Sequence, residues 1–78
     1  MKNTLAQFYT ESKPISFSYE KKYWINYSHK LIEGPGQFKG LLYGIGLVKL
    51  DEVWTEYLLI MENGKYYAIY ADDAKLDN

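Results

Sequence analysis

Tyr57-Leu58-Leu59-Ile60-Met61-Glu62-Asn63-Gly64-Lys65-Tyr66-Tyr67-Ala68-Ile69-Tyr70 decides the fold of this chain. Two apolar and aromatic runs flank Asn63-Gly64. A type I′ turn needs positive φ at both central residues, and Asn-Gly meets that need at least cost. A turn there makes a hairpin and fixes its register. Glu62 then faces Lys65 as an opposite-charge closing pair. Met61 faces Tyr66, Ile60 faces Tyr67, Leu59 faces Ala68, Leu58 faces Ile69, and Tyr57 faces Tyr70. One face of the hairpin carries Leu58, Ile60, Tyr67 and Ile69. The other carries Tyr57, Leu59, Met61, Tyr66 and Tyr70. Both are largely apolar, yet a domain this short has one core. The second face needs a cover: an N-terminal helix, a partner or second copy, or water on the tyrosine hydroxyls.

Toward the N-terminus, Ile15–Glu20 alternates apolar and polar residues, the period of a half-buried strand. Lys21-Lys22 is a polar break. Tyr23–Ile32 continues as a second strand, with Tyr23, Ile25, Tyr27, His29 and Leu31 on one face. These two strands are expected to pair as a hairpin. Residues 3–11 read as a short helix, with Leu5, Phe8 and Tyr9 on one face and Thr4 and Gln7 at capping-box spacing. Pro14 ends it. Glu33-Gly34-Pro35-Gly36-Gln37 is a turn. A third strand runs from Phe38 to Val48, and its glycines at 40, 44 and 46 imply a bend, a bulge or a close backbone approach. Lys49–Val53 reads as a polar loop. Trp54–Met61 and Lys65–Ala71 are the hairpin strands, and Asp72–Leu76 is a turn ending in a short strand or 3₁₀ turn. The expected fold is mainly β. It is a five- to six-stranded, strongly bent antiparallel sheet or small barrel with a short N-terminal helix, in one domain over 1–78.

Composition narrows the function. Seventy-eight residues bury only about 60% of their unfolded surface, and there is no cysteine to add a disulfide or a thiolate metal site. Nine Tyr, three Phe and two Trp supply large buried areas instead. The net charge of −1 argues against general nucleic-acid affinity. Residues 1–50 carry a net +4 and residues 51–78 a net −5, a two-signed surface that can orient a partner. Every basic residue is Lys, so the planar fork that reads phosphates and guanine edges is missing. The first residues lack the apolar core of a signal peptide, and no run is long enough to span a bilayer, so a cytoplasmic location is expected.

Little in the chain points to catalysis or metal binding. His29 is the one histidine and lies on an apolar strand face. No serine sits on a strand–turn–helix elbow. Asp51-Glu52 and Asp72-Asp73 lack the alternating ligands of a calcium loop. Gly34-Pro35-Gly36 and Gly44-Ile45-Gly46 lead into no helix and no third glycine. No cofactor, no metal and no catalytic residue is therefore expected.

Gly36-Gln37-Phe38-Lys39-Gly40, the bent strand Leu41–Val48, the hairpin Tyr57–Tyr67 and the closing Ala71-Asp72-Asp73-Ala74-Lys75-Leu76 together resemble a Tudor- or KOW-type small barrel of the Src-homology-3-like architecture. The resemblance covers Glu33–Leu76, and the residues before it are extra to the pattern. It implies a bent strand, a tight hairpin and a turn before the last strand. Such folds host many functions, among them the caging of methylated Lys or Arg by aromatic rings.

The sequence thus predicts a non-enzymatic protein-binding module. Tyr57, Tyr66, Tyr70 and Trp24 are the contact residues, and the partner is another protein or a second copy. Rich Lys, Tyr, Asn and Ile usage suggests a small phage or mobile-element product that inhibits or adapts a host protein. The alternative is a weak single-stranded nucleic-acid binder. Its residues are Lys22, Trp24, Tyr27 and Lys30, the one stretch where basic and aromatic side chains interleave.

Overall fold

The computed structural model describes residues 2–25 and 30–77, with side chains over 5–25 and 34–77. Its elements run α1 (Lys2–Thr10), β1 (Ile15–Tyr19), β2 (Lys22–Trp24), β3 (Lys30–Glu33), β4 (Gly36–Gly40), β5 (Gly44–Leu50), β6 (Val53–Glu62), β7 (Lys65–Tyr70), a 3₁₀ turn (Ala71–Asp73) and β8 (Ala74–Leu76).

The hairpin forms as its turn chemistry dictates. Asn63 and Gly64 take φ of 53° and 78°, and every pair from Glu62↔Lys65 to Tyr57↔Tyr70 falls in the expected register. The helix, the 3₁₀ turn and the short last strand also lie where the pattern placed them.

Among the described residues the strands are more numerous than expected and form no closed barrel. Eight of them make two antiparallel sheets, one ordered β4-β1-β8 and one ordered β3-β2-β7-β6-β5. The expected hairpin of the first two strands does not form. β1 pairs with β4 on one side and β8 on the other, while β2 pairs with β3 and β7. The cause is burial: Ile15, Phe17 and Tyr19 on β1 are all needed in the core. Glu20-Lys21 is therefore a corner between sheets rather than a turn between neighbours. The expected single strand Tyr23–Ile32 is instead two, because β2 and β3 pair antiparallel with each other, Tyr23 opposite Leu31 and Trp24 opposite Lys30, with a register shift between Lys22 and Tyr23. Tyr27 and His29 lie outside the described residues.

The third strand breaks where its glycines allow. Gly40 has φ of 148°, a conformation that side chains disfavour. There the chain leaves β4, crosses through Leu41–Tyr43 and enters β5 in the other sheet. Lys49–Val53 is not an open loop. Asp51 and Glu52 both take positive φ, 48° and 67°, and join β5 to β6 in a second two-residue hairpin closed by Leu50↔Val53.

The two sheets share one core. β1 and β4 contribute Ile15, Phe17, Tyr19 and Phe38; β6 and β7 contribute Leu58, Ile60 and Ile69. Phe17, Leu58, Ile60 and Ile69 are wholly enclosed. Phe17 meets Phe38 at 5.5 Å between ring centres. Helix α1 lays Leu5 and Phe8 against the same core beside β5 and the 3₁₀ turn. It therefore does not cover the second face of the hairpin. Asp77 ties the end of the chain down, accepting hydrogen bonds from Ser16 Oγ at 2.6 Å and from Gln37 Nε2.

Candidate protein-binding face

Strand pairing assigns side chains to the two faces of the five-stranded sheet. In an antiparallel pair, directly opposed residues point the same way. Leu58, Ile69 and Ile45 therefore share the inner face, over which the small sheet and the helix pack. Tyr57, Leu59 and Met61 of β6 point outward, together with Tyr66, Ala68 and Tyr70 of β7 and Tyr23 of β2.

That outer face is aromatic and organised. Tyr23 and Tyr70 stack tilted, with centroids 4.7 Å apart. Tyr43, from the crossing before β5, meets Tyr66 edge-on at 5.3 Å. A Cβ on Gly46 would fall 2.6 Å from the Tyr57 ring, so the missing side chain is what lets Tyr57 lie across β5. The rings hold one another in place, which lowers the entropy lost when they meet a partner. Tyr43, Met61 and Tyr66 are exposed, at 50%, 37% and 41%. Tyr57, Leu59 and Tyr70 are half-buried. Partial burial raises the Tyr70 pKa above its usual value, aided by Tyr23 and Asp73.

The expected contact residues separate into two groups. Tyr57, Tyr66 and Tyr70 come together on the outer face. Trp24 does not join them. It faces Tyr67 across β2–β7 and so points to the inner side, half-buried, with the Lys65 ammonium 5.8 Å from its ring centre. Tyr23 and Tyr43 belong to the outer face and were missed by sequence reading. Alternation places Tyr23 on the apolar face of a single strand over 23–32, and Tyr43 inside a continuous strand, with no local signal that either faces outward.

The basic-aromatic stretch is not an open surface at Lys22. That residue is 7% exposed, bonds Glu62 Oε1 at 2.9 Å and lies 4.5 Å from the Tyr67 ring centre. The expectation of a solvated Lys22 fails because β2 turns this side chain into the inner face beside Tyr67. Glu62 consequently bonds Lys22 rather than serving only as the partner of Lys65. The Lys30 side chain and Tyr27 lie outside the description. Among the described residues no three His, Cys, Asp or Glu side chains gather where a metal could sit. No described helix is long and apolar enough to cross a membrane.

Comparison of this chain with protein-family models, with curated proteins and with solved structures finds no match.

Proposed function

We propose that this chain is a non-enzymatic protein-binding module whose partner docks on the outer face of the five-stranded sheet. Tyr57, Tyr66 and Tyr70 form the contact, joined by Tyr43, Leu59 and Met61. One observation carries the reading: the small sheet and α1 both pack on the inner face, leaving an ordered tyrosine-rich surface outside. Apolar and aromatic residues concentrated in one exposed patch are the usual mark of an interaction site, and Tyr is favoured there.

The proposal extends to the fold relationship and the source. A chain that passes from β4 to β5 between sheets, the tight β6–β7 hairpin and a 3₁₀ turn before a last strand lying against β1 support the Tudor- or KOW-type resemblance. The open pair of sheets departs from a closed barrel. Composition supports a phage or mobile-element product acting on a host protein in the cytoplasm.

Capture experiments test the reading. Tyr43→Ala with Tyr66→Ala truncates two exposed rings and leaves the core intact. Immobilised wild-type chain is expected to retain a host protein that the double variant releases, while Tyr9→Ala, on the helix, retains it. Equal capture by the wild type and the double variant overturns the assignment.

A further inference from the structure

The five-stranded sheet ends at β5, which touches α1 but has a strand neighbour on one side only among the described residues. β5 is seven residues long and pairs with β6 along its full length on one side. On the other side no described strand pairs with it. An unpaired edge is a row of backbone donors and acceptors whose natural complement is another extended strand. Edges are normally blunted by proline, bulges, charge or shortness. β5 has no proline, and its pairing with β6 runs without a register shift. Its single charge, Lys49, is drawn back toward its own hairpin tip. The ammonium lies 3.5 Å from Glu52 Oε1 and 5.8 Å from the Trp54 ring centre. Leu47, the middle residue of the strand, is 63% exposed. The other edge strands, β3, β4 and β8, are shorter, at four, five and three residues.

We propose that β5 is a self-pairing edge, at which two copies of this chain join antiparallel about a two-fold axis at Leu47. The sequence of β5 is self-complementary in that register. Leu47 meets Leu47 of the partner subunit, Gly46 meets Val48 of the partner subunit, and Gly44 meets Leu50 of the partner subunit. No like charges are opposed, because Lys49 meets Ile45 of the partner subunit. The glycine at 46 leaves the Tyr57 ring open to Val48 of the partner subunit on the outer face. The two five-stranded sheets become one continuous sheet, and the two tyrosine faces become contiguous. A foreign peptide strand could use the same backbone groups, but only a second copy supplies this symmetric apolar pairing at every turn of the axis.

The absence of cysteine makes the test direct. Directly opposed residues in an antiparallel pair have Cα atoms about 4.5–5.5 Å apart, within disulfide range. Leu47→Cys is therefore expected to form a disulfide-linked dimer in a glutathione redox buffer. Val53→Cys, equally exposed on the hairpin tip but off the axis, is not. Sedimentation of the wild-type chain is expected to show a concentration-dependent dimer. Leu47→Lys places two ammonium groups on the axis and is expected to weaken that dimer by about tenfold or more. Since Leu47 is mostly exposed, circular dichroism should show both variants folded. The proposal is overturned if the wild type stays monomeric at all concentrations. It is also overturned if Leu47→Lys dimerises as tightly as the wild type, which would place the contact on the tyrosine face or elsewhere. Equal cross-linking of Leu47→Cys and Val53→Cys overturns it as well. Partner capture through Tyr43 and Tyr66 is read separately, so either result stands without the other.

Discussion

Lys22 is the one charged residue that is buried among the described side chains. Around this enclosed ammonium a carboxylate and an aromatic face take the place of water. Removing it strands Glu62, whose side chain is still 30% accessible and so partly hydrated. Lys22→Ala is expected to cost about 2 kcal/mol, read by urea denaturation. Lys22→Met with Glu62→Gln should recover part of that loss, because no charge is left without a partner. Asp77 works differently. The Ser16 hydroxyl first, and the Gln37 amide second, hold its carboxyl below the usual Asp value. A depressed carboxyl stabilises the fold above its unfolded pKa, and the contribution disappears as pH falls through the lower folded value. Asp77→Asn should therefore lower Tm at neutral pH. In strong acid, where wild-type Asp77 is itself protonated, the two melting curves should converge.

Among elements, the two hairpins show what a sequence does and does not disclose. Asn63-Gly64 advertises its turn because both residues tolerate positive φ, and the register of β6 on β7 follows from it. The outward grouping of Tyr57, Tyr66 and Tyr70 was legible for the same reason, since register alone assigns faces. Asp51-Glu52 adopts the same kind of turn with Glu where Gly is usual, so the β5–β6 hairpin looked like a polar loop. A left-handed conformation costs an ordinary residue about 1–2 kcal/mol. Glu52→Gly should thus stabilise the protein by about 1 kcal/mol despite losing the exposed contact with Lys49, which is worth little. Thermal or urea unfolding checks the sign. The position of Trp24 was illegible because alternation groups it with Lys22 but does not say which face of β2 turns inward, and here it is the face beside Tyr67.

For the whole molecule, the decisive residues are the few that both sheets share. Phe17 is fully enclosed between β4, β8 and the facing sheet. Phe17→Ala is expected to cost about 3–5 kcal/mol. A chain of this length holds only about 4–12 kcal/mol in total, so the variant should melt far below the wild type or lose its cooperative transition, as calorimetry would show. The partners of β1 were hidden from sequence reading because nothing local marks them. Adjacent strands pair more often than not, and here that preference yields to the need to bury Ile15, Phe17 and Tyr19 on a sheet of their own.

β1 has no neighbour in sequence to lean on. Its Phe17 pairs with Phe38 on one side and with Leu76 on the other, and both must arrive from a distance. The β5–β6 and β6–β7 ribbons can zip within microseconds, each around a two-residue turn. β1 must wait until remote segments diffuse into place and the loop entropy is overcome. The expected order is ribbons first and β1 last. Destabilising changes in the β6–β7 ribbon should slow refolding, whereas changes on the polar side of β1, such as Ser18→Ala, should chiefly quicken unfolding.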